Sequence, residues 1–365
     1  MSSNRDLPVF QRFPDLSEDV ERVPLGELPT PLDAWSGSDL GLDCARLLVK
    51  RDDLSGEPYG GNKVRKLEFL LARALARHAR GVITFGVAGS NHALATSVYA
   101  AACGLDSYSM LTRQSNAAYV RRNLLTGLHA GARLMPFDSE EAAAEGAKRL
   151  VARGQALGEP LQVIRGGGSE PLGCLGFVNA GLELAVQIEQ QSLPEPDAVY
   201  LPLGTVGTAA GLLLGLRLAG MKTHMVAIRV VREDIARPQR LRTLTGGTLE
   251  LLGRPGSADF GELPEIRHEF IGPGYARFTP EGVAAIAHAR DLLGLKLDGT
   301  YSGKAFAALL ADLHAGRFRG RTVLFWNTYS SRPPPEAAMA LDYHRLPEPF
   351  HFYFEQPLQP LDPEA

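Results

Sequence analysis

The sequence predicts an α/β fold of two lobes, each a three-layer αβα arrangement around a mainly parallel sheet. Three observations predict it. From residue 47 onward, short apolar runs alternate with segments whose apolar residues recur at helical spacing, and glycine-bearing turns join them. Helices of this length between strands are crossover connections, which pair strands in parallel and cover both faces of the sheet. The alternation comes in two series, divided by Gly166-Gly167-Gly168. Glycine is also in excess, 39 of 365 residues against an average of roughly 7%. The glycines follow no period, so a collagen-like chain is excluded. They cluster between apolar runs, where a backbone turns tightly or approaches a ligand.

In the first series LLVKRDD (47–53) reads as a strand and NKVRKLEFLLARALARHAR (62–80) as a helix. That helix places Val64, Leu67, Leu70, Leu71, Ala74 and Leu75 on one face, with Arg65, Lys66, Arg73 and Arg77 between them. Strand 81–87, a helix from Asn91 ending at a Gly104 C-cap, strand 107–112, helix 117–129, strand 132–137, a helix from Glu140 and strand 163–165 follow. The second series runs through a helix before Gln191, strand 197–203, the turn Gly204–Thr208, a helix to Gly220 and strand 223–230. Residues 232–275 are rich in Arg, Gly and Pro and read as connecting structure. Two helices (279–294 and 305–316) and a buried strand (322–328) come next, and the tail after Arg332 reads as non-regular.

Composition narrows the function classes. A net charge of −3, from 38 basic and 41 acidic residues, argues against general nucleic-acid binding. Cys44, Cys103 and Cys174 are odd in number and far apart, which supports neither a disulfide framework nor a metal site. Reduced thiols, an N-terminus without an apolar signal core, and the lack of a run of ~18 apolar residues predict a cytoplasmic protein that binds no membrane.

Four clusters could carry chemistry. Gly60-Gly61-Asn62-Lys63 opens a helix, where positive backbone dipoles disfavour a charged lysine and free its amine; the same lysine also reads as a solvated member of a basic helix. Gly86–His92 lies between a strand and a helix, at the end of a sheet where ligands bind. Ser90 or Asn91 reads there either as an N-cap or as part of a carboxylate site, and His92 more readily as a packing residue than as a base. Gly204-Thr205-Val206-Gly207-Thr208 again opens a helix after a buried strand. Its hydroxyls and N–H groups suit a phosphate monoester, without the spacing of a dinucleotide loop. Finally, Asp298–Lys304, with Tyr275 upstream, offers Tyr301 in a glycine-flanked loop.

In this order the motifs resemble one family. GGNKVRKLEFLLARAL, the Ser90-Asn91-His92 turn, the mid-chain glycine/threonine loop and the late Tyr301-x-Gly-Lys segment are similar to pyridoxal-phosphate enzymes of the tryptophan-synthase-β fold type. Within them the chain resembles the 1-aminocyclopropane-1-carboxylate deaminase / D-cysteine desulfhydrase family over roughly residues 20–330. The resemblance implies that Lys63 holds the cofactor covalently, that Asn91 bonds its ring hydroxyl, that Gly204, Thr205, Val206, Gly207 and Thr208 cradle its phosphate, and that Ser302 faces its pyridine nitrogen. Ser90, Tyr275 and Tyr301 would be catalytic, and Ser90, Asn91, His92 and Tyr329 would meet the substrate. It implies a discontinuous cofactor-binding domain (1–62 and 166–365), a smaller domain (63–165), and a homodimer. The reaction implied is proton removal from a small amino acid with loss of a β-substituent, giving a keto acid and ammonia. Racemisation, β-replacement, or cofactor binding without this catalysis are the alternatives. Three segments depart from the family pattern. Gly86-Val87-Ala88-Gly89 stands for Gly-Gly-Ile-Gln, Asn327-Thr328-Tyr329-Ser330 for His-Thr-Gly-Gly, and Asp298-Gly299-Thr300 for Asp-Pro-Val. The altered parts are those that face the substrate.

Overall fold

A computed structural model describes residues 6–255 and 262–363. Helices α1 (Pro8–Arg12) and α2 (Leu16–Asp19) precede strands β1 (Leu32–Ser36) and β2 (Arg46–Lys50). Then come α3 (Lys63–Ala76), β3 (Gly81–Val87), α4 (Asn91–Ala102), β4 (Asp106–Thr112), α5 (Ala118–His129), β5 (Arg133–Phe137), α6 (Glu140–Ala156) and β6 (Leu161–Val163). The chain continues through α7 (Pro171–Gln190), β7 (Ala198–Leu203), α8 (Gly207–Leu218), β8 (His224–Arg229), α9 (Pro238–Leu251) and β9 (Glu265–Arg267). It closes with α10 (Pro280–Leu293), α11 (Ser302–His314), β10 (Thr322–Trp326), α12 (Glu336–Met339) and α13 (Phe352–Glu355).

Two sheets result. The larger has the order β1-β2-β10-β7-β8-β9 and the smaller β5-β4-β3-β6. All pairings are parallel except that of the edge strand β1 with β2. Alternation along β7 shows why both faces are covered. Val199, Leu201 and Leu203 pack with Phe177 of α7 and Leu212 of α8, whereas Ala198 and Tyr200 pack with Ala289 of α10 and Phe306 of α11. In the smaller sheet Val82 meets Leu67 of α3 and Tyr99 of α4. Its neighbour Ile83 meets Ala143 and Ala147 of α6.

The structure departs from the sequence reading in three places. Strand β1 lies in the N-terminal segment, which carried no strand signal. The stretch read as connecting structure contains α9 and β9. Gly246-Gly247 interrupts the helical pattern of α9, and burial of Leu241, Leu244 and Leu249 outweighs it. The tail is partly helical, and Leu346, Phe350 and Tyr353 pack on Leu124 and Leu125 of α5. Helix α7 has the length and apolar character of a membrane span, but 78% of that stretch is buried inside the fold.

Candidate active site

A cavity of about 570 Å³ opens where the carboxyl ends of β3, β7 and β8 approach one another, and it brings together Lys63, Ser90, Asn91, His92, the 204–208 loop, Tyr275 and Tyr301. Lys63 is the first residue of α3. The two residues before it are tied to neighbouring strand ends: Gly61 N donates to Asp52 O (2.8 Å) and Asn62 N to Thr328 O (3.1 Å). Gly61 has φ +93°, and a Cβ there would lie 2.9 Å from Thr328 O, so glycine is required. The Lys63 amine forms no hydrogen bond or ion pair with described residues, and burial together with the charge of Lys66 pushes its pKa well below the ordinary lysine value.

Behind Lys63, α3 buries charge that its sequence pattern places on a polar face. Arg65 is fully buried and bonds Asp52 (Nη2–Oδ1 2.8 Å) and Glu183 (Nη1–Oε2 2.8 Å). Lys50 Nζ reaches the same Glu183 carboxylate at 2.6 Å, and Trp326 Nε1 donates to Asp52 at 2.8 Å. Lys50, Asp52 and Arg65 thus anchor the start of α3 to β2, β10 and α7.

The turn after β3 carries Ser90 as the N-cap of α4, its hydroxyl accepting from Ala93 N at 3.2 Å. Asn91 Oδ1 accepts from Asn123 Nδ2 (3.1 Å) and Tyr59 OH (3.4 Å). These bonds orient the amide and leave its NH₂ group as the donor toward the cavity. His92 is 3% exposed and neither ring nitrogen has a hydrogen-bond partner; the Arg165 backbone approaches without meeting hydrogen-bond geometry. Burial and the nearby Lys63 and Lys66 hold its ring neutral. Gly89 has no room for a side chain: a Cβ would sit 2.7 Å from Tyr119 Cε2 and 2.8 Å from Val120 Cγ2. Gln114 supplies an amide there instead, its Oε1 accepting from Gly89 N (2.9 Å) and its Nε2 donating to Tyr119 OH (2.8 Å). Tyr119 OH in turn bonds Thr300 Oγ1 at 3.0 Å, linking this turn to the Tyr301 loop.

Across the cavity, Val206 occupies the left-handed region (φ +61°) as the N-cap of α8, a conformation β-branched residues rarely adopt. The turn directs first-turn N–H groups of α8, which no intrahelical carbonyl can reach, at the cavity. Around them stand Ser169 and Thr205 (Oγ–Oγ1 2.7 Å), and Asn62 Nδ2 donating to Thr208 Oγ1 (3.0 Å). Lys66 Nζ donates to Gly167 O at 3.0 Å, and a Cβ at Gly207 would meet it at 3.0 Å and Ser169 Oγ at 2.6 Å. Sequence reasoning missed Lys66, although its i,i+3 spacing from Lys63 puts both on one face of α3.

The Tyr301 and Tyr275 hydroxyls lie 2.5 Å apart. Burial pushes both upward, Tyr275 to about 12 and Tyr301 well above its ordinary value, so both stay protonated. Two expected residues are not brought to this cavity. Ser302 is fully buried, and its hydroxyl donates to Asp298 Oδ1 (2.6 Å) while accepting from Asp298 N (2.8 Å). The cavity-lining hydroxyl from the end of β10 is that of Thr328. Tyr329 lines a second, adjacent cavity, its ring 5.7 Å from Lys296 Nζ.

This constellation sits in a chain whose residues 23–328 match the model of the pyridoxal-phosphate-dependent enzyme family. The chain belongs to that family. It is 37% identical over 321 residues to nocardicin C-9' epimerase of Nocardia uniformis subsp. tsuyamanensis, covering 87% of this chain and 95% of that protein. It is 33% identical over 331 residues to D-cysteine desulfhydrase of Klebsiella pneumoniae (strain 342), covering 88% and 95%. Among solved structures it is similar to an ACC deaminase homologue, with a TM-score of 0.75, 30% identity, and coverage of 88% and 94%.

The residues present fit the family's cofactor. An aldehyde calls for a neutral amine, and Lys63 offers one without an internal partner. A ring hydroxyl calls for a donor, and Asn91 retains its NH₂ group. A phosphate calls for the donor set at the start of α8, with Lys66 beside it.

Proposed function

We propose that this protein is a pyridoxal-phosphate-dependent lyase or deaminase of the D-cysteine desulfhydrase type, acting on a small amino acid. The observation that carries the reading is the half-buried Lys63 amine, unpartnered among the described residues and in the same cavity as the amino-terminal turn of α4. When bound, pyridoxal phosphate supplies an electron sink for charge developing at the substrate Cα. The chain's own residues do the rest. The Ser90–Asn91 turn holds the substrate carboxylate on free backbone N–H groups. Lys63, neutral because of burial and Lys66, takes the Cα proton. The hydrogen-bonded Tyr275–Tyr301 pair, held protonated, donates a proton to the departing β-substituent. With D-cysteine and one water the balance is pyruvate, hydrogen sulfide and ammonia.

A second reading is favoured by the 37% identity to a protein named as an epimerase. In it the Cα proton is removed and returned, with the tyrosine pair as the second proton carrier. One experiment separates the two: small D- and L-amino acids are offered to the purified protein in D₂O, and keto acid and Cα deuterium are measured together. Keto acid supports the lyase; deuterium at Cα with inversion and no keto acid supports the epimerase. Lys63→Ala should remove both activities and the visible absorbance acquired with pyridoxal phosphate. A wild-type protein that gains no such absorbance would refute both readings.

The reading extends to a cytoplasmic homodimer. None of the three cysteines is in a disulfide, which agrees with a reducing compartment. The dimer rests on the family resemblance and is checked by sedimentation.

A further inference from the structure

The turn that carries Tyr275 is poorly able to hold its own shape. Gly272, Gly274 and Ala276 all lie at positive φ (+64°, +144° and +58°), a region that alanine rarely adopts. The turn's internal backbone hydrogen bond, from Arg277 N to Gly274 O, is long at 3.3 Å. Side chains from elsewhere fix it instead. On one side Lys304 of α11 donates to Ile271 O (2.7 Å). On the other, the Gln359 carboxamide spans the strained residue: Nε2 donates to Ala276 O and Oε1 accepts from Phe278 N, both at 3.0 Å. Phe278 N can only donate, which settles the orientation of the amide. Gln359 is itself buried, and its backbone N–H donates to Asn116 O (3.0 Å), just before α5.

Gln359 belongs to the segment after α13, outside the residues 23–328 that match the family model. This tail is fastened to the smaller lobe along its length. Gln114 N donates to Tyr353 OH (2.9 Å), Asn116 Nδ2 to Gln356 O (2.8 Å), and Ala118 N to Asp362 Oδ2 (2.9 Å). Tyr119, the next residue, stacks its ring on Phe278 (centroids 6.4 Å apart, planes at 16°). The smaller lobe and the tail thus set the Tyr275 turn, whereas Tyr301 is the N-cap of α11.

We propose that Gln359 is a positioning residue: it holds the Ala276 turn so that the Tyr275 hydroxyl meets that of Tyr301. A non-glycine residue at positive φ persists only where its surroundings over-determine it, and here one side chain binds the backbone on both sides of Ala276. What it secures is the 2.5 Å separation of the two hydroxyls. The proton-donating role of the pair rests on the function proposed above; its placement by Gln359 does not.

The test uses the full chain supplied with pyridoxal phosphate and labelled with carbon-13 at tyrosine Cζ, whose NMR signal reports the hydrogen bonding of each hydroxyl. The Tyr275 signal is the one missing from Tyr275→Phe. In the parent, Tyr301→Phe should move it. In Gln359→Met, which keeps the bulk and loses both bonds, it should already be displaced, and Tyr301→Phe should add no further change. Gln359→Asn, too short to reach both partners, should behave alike and carries the test if the methionine variant does not fold. The visible absorbance should remain, because Lys63, Asn91 and the start of α8 are untouched. In turnover, followed as keto acid or as Cα deuterium, kcat should fall at least tenfold with KM within twofold. In a Tyr275→Phe background Gln359→Met should cost nothing further, because both changes act through one hydroxyl. An undisplaced Tyr275 signal in the Gln359 variants, or losses that multiply in the double variant, would overturn the proposal. A parent without absorbance or turnover would refute the proposed function alone, and the Tyr275 signal would still decide the placement.

Discussion

A primary amine adds to an aldehyde only when neutral, so the reactivity of Lys63 depends on how far its surroundings depress its pKa. Burial is the larger cause and the positive charge of Lys66 the next, with Asp298 opposing both. The pH dependence follows from the sign. A lowered pKa shifts the neutral fraction to lower pH, so the rate of colour formation on adding pyridoxal phosphate to the cofactor-free protein should rise to a plateau with a midpoint well below the ordinary ~10.4. A midpoint at or above 10 would show that the amine is solvated. For Tyr301, held protonated 2.5 Å from Tyr275, the Phe variant should keep the cofactor's absorbance and lose turnover by ~10²-fold or more. Gly89→Ala forces a Cβ against the Tyr119 ring and Val120 and should cost about 1–3 kcal/mol in urea unfolding. Much of the site was legible because its residue types declare themselves at strand–helix turns: paired glycines before a lysine, Ser-Asn, and Gly-Thr. Gln114 and Thr328 were not, because ordinary polar residues acquire these roles only through tertiary contacts. Ser302 lies outside the first cavity because Asp298, four residues before it, engages its hydroxyl.

Helix α3 shows how an element carries the site. Its first residue is the reactive lysine, and its first turn is fastened to the larger sheet and α7 by Arg65, Asp52, Glu183 and Lys50. Burial alone would raise the Glu183 carboxyl, but Arg65 and Lys50 outweigh it and hold it down to about 2. With a folded value below the ordinary ~4.3, this carboxylate stabilises the fold above pH ~4.3, and that contribution is lost as pH falls toward 2. Arg65→Met leaves buried carboxylates undercompensated and should cost about 3–5 kcal/mol. Urea unfolding at pH 7 and pH 3 should show the cost shrinking at the lower pH; an equal cost at both would mean that Glu183 is not the group involved. The network also explains the charges of NKVRK, which read as a solvated face because helical spacing assigns them there. Spacing alone cannot see the partners that β2 and α7 bring. Strands β3 and β7 were legible for the opposite reason, since apolar runs buried on both faces need no partner to be recognised. Helix α9 was hidden by its central glycines.

At the scale of the whole molecule, the two sheets point their strand carboxyl ends at one another, and the cofactor site belongs to neither lobe alone. Residues from β3, α4, β4 and α6 form one side of the first cavity, and the β7–α8 turn, the end of β8 and the tyrosines form the other. A ligand that contacts both sides stabilises both together, by about 2.7 kcal/mol at a concentration 100 times its Kd. Removal of pyridoxal phosphate should therefore lower the melting temperature and loosen both lobes at once. Amide exchange measured with and without cofactor distinguishes this from local anchoring. Faster exchange on removal is expected in the turn before α4 and in the turn before α8, which are joined by no covalent neighbour and no shared strand. Pyridoxal without its phosphate should restore protection at the first turn more fully than at the second, because the donors at the start of α8 would lack their partner. Exchange that changes only around α8 would mean that the ligand sits on the larger sheet alone, and the closure of the site by Ser90 and Asn91 would then have to be abandoned.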